Sequence, residues 1–197
     1  GMISRDRTRG NVVIWSVANG PPRGEPRLEC LKKLIAKTRE MDDTRLVSAA
    51  MEKDNIDATT VTVKDELLEY VDLISFNQYL GWYDGSPEKC DRMKWIFDVK
   101  KPVFISEFGG GAVYGRHGDV NERFTEEYQE ELYLKNVQMF DRIEGLAGTT
   151  PWILKDFRSP RRQIVGTQDD FNRKGLISEQ GGRKKAFYVM KRWYEGK

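Results

Sequence analysis

The chain is poor in cysteine: only Cys30 and Cys90 occur, with no C-x-x-C spacing, which excludes a disulfide framework and a zinc site. Both read as reduced packing thiols inside helices. The single histidine, His117, lies in a glycine-rich loop and reads as exposed rather than catalytic. Neither sign of charge is in excess. With 33 Lys and Arg against 31 Asp and Glu, no field calls for nucleic acid or an anionic membrane. No apolar run exceeds strand length, so no transmembrane helix is expected, and the opening Gly-Met-Ile-Ser-Arg-Asp-Arg lacks a signal peptide's apolar core. These absences imply a cytoplasmic protein with small-molecule or protein partners, no metal and no cofactor. Gly1 ahead of Met2 reads as an appended residue, and residues 1–10 as a tail before a single α/β domain over 11–197.

What is present centres on Lys101-Pro-Val-Phe-Ile-Ser-Glu-Phe-Gly-Gly-Gly111. Pro102 to Ser106 is an almost unbroken apolar run, the pattern of a strand buried on both faces in a parallel sheet. It delivers one carboxylate, Glu107, at its end, followed by Phe108 and three glycines that cannot comfortably continue a strand. In α/β folds the carboxyl ends of core strands are where chemistry is done. Glu107 is either a reacting group or a rim carboxylate satisfied by an arginine or a backbone amide. The glycines do not match a phosphate-binding loop, because no Lys-Ser/Thr follows and the spacing is not G-x-G-x-x-G.

Asn11 to Ala18 is a further buried strand, stopped by Asn19-Gly-Pro-Pro22. A helix is expected over Pro26 to Met41, with Leu28, Leu31, Leu34 and Ile35 at helical spacing. Leu46 to Ala50 is a strand, 51–64 a loop, Lys64 to Glu69 a short helix, and Tyr70 to Phe76 a strand. Ser86 is expected to cap a helix from Pro87 to Val99, and Thr125 to cap the longest helix, with Glu126 and Glu127 in its first turn and Arg142 near its end. The last strand is expected in Leu146 to Leu154, interrupted at Pro151, and a final helix over Arg183 to Tyr194. Alternation of this kind argues for a parallel sheet with outer helices. Five strands fit an open doubly wound sheet or part of an eight-stranded barrel, and periodicity does not choose.

The strand ends do. Asn11-Val-Val-Ile-Trp-Ser-Val-Ala-Asn19, Phe76-Asn-Gln-Tyr79, Ile105-Ser-Glu-Phe-Gly109 and Pro151-Trp152 together resemble the catalytic barrel of glycoside hydrolase family 2, and within it the β-glucuronidases. The resemblance implies a partial TIM barrel, strands 4 to 8 of a (β/α)8 barrel, with the first three strands and two preceding sandwich domains missing. It implies a retaining mechanism on a carbohydrate substrate, with Glu107 as nucleophile, Tyr79 supporting it, Asn19 on the sugar 2-hydroxyl and Trp152 as a platform under the ring. In the last loop, Asn172-Arg-Lys174 resembles the Asn-x-Lys pair that grips a glucuronide carboxylate. Trp82 and Tyr83 either line the site or cover apolar surface, and Arg161 and Arg162 read as a charged loop face able to steer an acidic sugar.

The resemblance fails at one position. Where the family's motif ends in Asn-Glu, with glutamate as acid/base, this chain has Gly20. A retaining glycosidase needs two carboxylates about 5 Å apart, and glycine supplies none. Glu25, five residues on, is a poor substitute at the start of a helix. The expectation is an impaired glycosidase, with a non-catalytic carbohydrate-binding remnant or a functionless truncated product as the alternatives. A barrel missing strands leaves two unpaired edges, so a homo-oligomer is expected to cover them.

Overall fold

Parallel strands cannot be joined by tight turns, so each must be followed by a crossover long enough to return the chain to the same end of the sheet. The computed structural model, which describes residues 1–197, shows this pattern in two compact units. The first comprises Gly1–Asn77, Lys94–Ser106 and Glu144–Thr149; the second comprises Gln78–Met93, Glu107–Ile143 and Thr150–Lys197.

In chain order the first unit holds strands β1 (Ile14–Asn19), β2 (Leu46–Met51), the short β3 (Asp54–Asn55) and β4 (Thr60–Thr62), β5 (Ile74–Asn77), the short β6 (Lys94–Trp95), β7 (Val103–Glu107) and β8 (Leu146–Thr149). Five of them form a parallel sheet in the order β1-β2-β5-β7-β8. Sheet order follows chain order with no reversal. A doubly wound sheet reverses at a switch point and a barrel does not, so the choice left open by periodicity falls to the partial TIM barrel.

Burial follows position in the sheet. β2 is buried along five of its six residues and β5 along three of four, as interior parallel strands require. β1, at an edge, buries only Trp15, against the expectation of a buried strand. β7 alternates as well: Val103 and Ile105 are buried, while Phe104, Ser106 and Glu107 are half-buried. The Phe104 ring lies where a side chain at Gly148 of β8 would be, since a Cβ there would come within 2.8 Å of it.

Two helices belong to this unit: α1 (Met2–Asp6) and α2 (Glu25–Met41). α1 turns the start of the expected tail into helix and buries Ile3. α2 presents Leu28, Leu31, Ile35 and Thr38 at three- and four-residue spacing, and Leu34, off that stripe, stays 45% exposed. Asp42, just past its end, accepts from Trp15 Nε1 at 2.9 Å and from Arg45 Nη1 at 2.6 Å. Residues 51–64, expected as a loop, carry β3 and β4 of a small sheet ordered β3-β4-β6. The expected helix 87–99 is replaced by a 3-10 turn, Pro87–Arg92, followed by β6, and Ser86 makes no side-chain cap bond. Stacking of Trp95 on Phe76, centroids 4.8 Å apart, holds that segment extended. The 3-10 turn Glu66–Glu69 stands where the short helix was expected.

The second unit holds α3 (Glu126–Phe140), α4 (Lys185–Glu195) and the two-residue strands β9 (Phe157–Arg158) and β10 (Phe171–Asn172), paired antiparallel. Thr125 caps α3 as expected, accepting from Tyr128 N at 3.1 Å. α3 ends two residues short of Arg142, whose guanidinium donates to Gln138 O and Cys90 O. The last strand of the large sheet ends at Thr149, so Pro151 to Leu154 is not strand, and the Trp152–Ile153 peptide is cis. Cys90 is buried as a packing thiol, whereas Cys30 is exposed. His117 is exposed, with Nδ1 2.8 Å from Glu127 Oε1.

Removing the α3 cap isolates one local term. Thr125→Ala is expected to lose about 1 kcal/mol, read as a melting temperature lower by about 2–4 °C in a chain of this size. An unchanged melting temperature would show the cap to be dispensable.

Candidate active site

β7 ends on Glu107, which opens the second of the three segments of the second unit. Its carboxylate Oε2 accepts from Tyr79 Oη at 2.7 Å. Burial, reinforced by this bond to a carboxylate, pushes the Tyr79 phenol well above its ordinary pKa, so it remains a proton donor at any working pH. Two backbone bonds fix the surroundings: Gln78 N donates to Glu107 O at 2.9 Å, and Trp152 N donates to Phe108 O at 2.8 Å. Trp152 is half-buried and meets Phe157 edge-on at 6.1 Å, so most of its ring is not locked into core.

The three glycines that follow serve close packing. A Cβ on Gly109, whose φ is +131°, would collide with the Tyr133 hydroxyl; one on Gly110 would lie 2.7 Å from Leu132 Cδ1 and 2.8 Å from Trp82. One on Gly111 would lie 3.3 Å from Arg173 O. At Gly109 and Gly110 the backbone therefore approaches side chains so closely that a Cβ does not fit, and at Gly111 the fit is tight. The next residue, Ala112, donates its N–H to Arg173 O at 3.0 Å.

Arg173 sits between Asn172 and Lys174, both buried. Asn172 Oδ1 accepts from Lys174 N at 3.1 Å, which closes the turn on itself. Lys174 Nζ donates to Tyr83 Oη at 2.7 Å and lies 4.7 Å from the Tyr83 ring centroid and 5.7 Å from those of Tyr79 and Trp82. Three aromatic faces thus surround one ammonium. Burial lowers its pKa below the usual lysine value. For Tyr83, burial pushes the phenol up, but the Lys174 and Arg162 cations outweigh it and the net shift is downward.

A pocket of about 300 Å³ opens here, lined among others by Trp82, Tyr83, Arg123, Arg162, Asn172 and Lys174. Its lining holds arginines and a lysine and no carboxylate. Arg162, read from sequence as a charged loop face, and Arg123, which sequence reading passed over, both reach it. Arg123 stacks its guanidinium 4.0 Å over the Trp82 ring. A cation stacked on a distant aromatic leaves no sequence signal.

In the first unit, Asn19 closes β1, and its Oδ1 accepts from Asn77 Nδ2 at 2.7 Å, while Asn77 Oδ1 accepts from Ser106 Oγ at 2.8 Å. Gly20 follows with φ +57°, its N–H donating to Ala50 O at 2.9 Å, and open space where a side chain would project. It lines a second pocket, of about 450 Å³, with Arg23, Glu52, Asp54 and Asn77. Arg23 and Asp54 pair at 2.7 Å. Glu25 is exposed in the first turn of α2. No group of three or more His, Cys, Asp or Glu side chains is placed to hold a metal ion. No helix is long and apolar enough to cross a membrane.

Comparison with known proteins bears on this arrangement. Residues 1–196 match the family described as glycosyl hydrolases family 2, TIM barrel domain. A β-glucuronidase of Rattus norvegicus is 33% identical over 205 residues, covering 98% of this chain and 30% of that protein. One from Paenibacillus borealis is 29% identical over 204 residues, covering 98% of this chain and 33% of its own length. Among solved structures, a family 2 β-galacturonidase from Eisenbergiella tayi bound to galacturonate superposes with a TM-score of 0.81 at 25% identity, over 100% of this chain and 35% of that one. The Dictyoglomus thermophilum β-D-glucuronidase superposes with a TM-score of 0.74 at 28% identity, over 98% and 33%. The chain spans about a third of the length of the curated relatives it matches. It belongs to glycosyl hydrolase family 2, as β-glucuronidase-like TIM barrel sequence.

Proposed function

We propose that the chain carries the nucleophile and the uronate-binding part of a retaining glycosidase site, with no acid/base group at Gly20. The observation that carries this reading is the Tyr79–Glu107 hydrogen bond beside the aromatic cage of Lys174. Glu107 attacks the anomeric carbon, and the glycosidic oxygen leaves with the bonding electrons. Asn172 and Lys174 hold the sugar carboxylate with Arg162 on the same pocket, and Trp152 supports the ring. The β-glucuronidase and β-galacturonidase relatives support a uronide as substrate class.

Without an acid the leaving oxygen departs unprotonated, and without a base no water is activated to release the sugar. General acid/base help is worth about 10²- to 10⁴-fold. An aryl glucuronide with an acidic phenol is therefore expected to load Glu107 with a covalent uronosyl group that turns over slowly. Peptide mass spectrometry should find the adduct on Glu107 and none in Glu107→Gln. No adduct in the folded chain, nor in Gly20→Glu, would overturn the nucleophile assignment.

Gly20→Glu has room but must adopt a left-handed backbone, at about 1–2 kcal/mol. Turnover of a poor-leaving-group glucuronide is expected to rise by about 10²-fold or more, alongside a small drop in melting temperature. Equal turnover in the two proteins would leave the second reading, a carbohydrate-binding remnant, which the missing carboxylate favours.

The pH dependence follows from the lowered pKa of Lys174. Its charge is present at neutral pH and is lost on raising the pH, earlier than for an exposed lysine. Calorimetric affinity for glucuronate is expected to be flat near neutrality and to fall before pH reaches about 10.4, the ordinary lysine value. In Lys174→Met the affinity near neutrality should be weaker, and the decline shallower, what remains of it coming from ionisation of Tyr83.

β1 and β8 lie at the two ends of the strand order of the large sheet, and a second copy of the chain is proposed to cover these edge strands. Sedimentation should show a species larger than 22.9 kDa; a stable monomer at high concentration speaks against it.

A further inference from the structure

Lys184, at the start of α4, is fully buried, and so is the side chain of Asp156. The ammonium donates to Asp156 Oδ1 at 2.8 Å and Oδ2 at 2.9 Å, to Ala112 O at 2.7 Å and to Arg173 O at 3.1 Å. Asp156 Oδ1 also accepts from Gly175 N at 2.7 Å. Arg173 Nη1 lies 3.7 Å from Asp156 Oδ2 and donates to Glu179 at 2.8 Å. Gly175 has to be glycine, since a Cβ there would collide with Asp156.

One cation thus joins two segments. Ala112 ends the glycine run behind Glu107, and Arg173 is the middle residue of Asn172–Lys174. The two already share the Ala112 N to Arg173 O bond. Burying a charge pair is a poor way to gain stability, because desolvation cancels most of the attraction. Burial pushes Asp156 up and Lys184 down, each opposed by its partner's charge. What such a pair does supply is direction: a tetrahedral ammonium with every donor on a fixed acceptor fixes the geometry of those acceptors.

We infer that Lys184 and Asp156 are positioning residues, which hold the Asn172–Lys174 turn in register with the backbone behind Glu107 so that Lys174 meets a uronate carboxylate. This rests on the uronate reading of the pocket. The substrate class on which they act is the acidic sugar: a neutral sugar that makes no use of Lys174 is indifferent to them.

The test uses Lys184→Met/Asp156→Leu, which removes both charges and leaves neither buried alone, with Asp156→Asn as a milder variant should the double variant not fold. Two quantities are read: calorimetric affinity for glucuronate against glucose, and hydrogen exchange of peptides spanning 110–113 and 172–176. The expected result is a tenfold or greater loss of glucuronate affinity, glucose binding unchanged, and faster exchange in both peptides but not in α2. A displacement of about 1 Å is enough for an effect of up to 100-fold. A folded variant with wild-type glucuronate affinity, or with unchanged exchange in both peptides, overturns the positioning role. If the unaltered chain binds no glucuronate, the uronate reading falls, and exchange alone decides whether the pair holds the two segments together.

Discussion

The second unit depends on a stretch of backbone that carries no side chains. A Cβ on Gly109 would strike the Tyr133 hydroxyl and one on Gly110 the Trp82 ring and Leu132, while one on Gly111 would press on Arg173 O at 3.3 Å. Because this run lies so close, Ala112 can bond Arg173, and the Asn172–Lys174 turn is referenced to the strand that ends in Glu107. A larger residue at Gly109 or Gly110 would displace an aromatic ring. The close approach also leaves the Tyr133 hydroxyl buried without a hydrogen-bond partner, a cost accepted for packing. Placement of the cation and of the carboxylate are thus parts of one packing problem.

That problem has an electrostatic side. Lys174 is buried among the faces of Tyr79, Tyr83 and Trp82, with Arg162 and Arg123 on the same pocket. Aromatic quadrupoles and one phenol compensate an ammonium only in part, and its lowered pKa reflects the deficit. On the proposed reading an anion entering this pocket, whose lining has no carboxylate, supplies what is missing. Lys184 is the contrasting case. It is more deeply buried, but its donors are taken up by Asp156, Ala112 O and Arg173 O, so it offers nothing to a ligand.

What could be read from the sequence was local. Strand ends carry their residues in short motifs, so Asn19, Tyr79 and Glu107 stood out, and the structure brings Tyr79 onto Glu107. The order of strands needed only the alternation of elements and the family resemblance. The rest failed for identifiable reasons. Residues 87–99 have a proline start and a plausible helical length, but Trp95 stacks on Phe76, a tertiary contact that propensity does not contain. Leu34 has helical spacing in the sequence of α2 but lies off the buried line through Leu31 and Ile35. Arg123 and Trp82, or Lys184 and Asp156, are pairs joined only by the fold, and neither residue of such a pair announces its partner. The glycine run was visible as composition, while its use in packing was not.

Gly20 shows why a missing group is easier to identify than to restore. On the proposed reading Gly20 stands at the acid/base position, and the backbone there is left-handed, with φ +57°. Glycine occupies that region freely, whereas a glutamate either bears strain or pulls the turn after β1 into another conformation, moving the Gly20 N–H from Ala50 O. Any gain from a carboxylate at this position is therefore net of a conformational cost, and its carboxyl group would be set by whichever backbone results. The proposed uronate grip and nucleophilic attack rest on Asn172, Lys174 and Glu107, all residues of the second unit. On the proposed reading, loss of the acid/base group costs rate in both chemical steps and leaves the recognition of an acidic sugar in place.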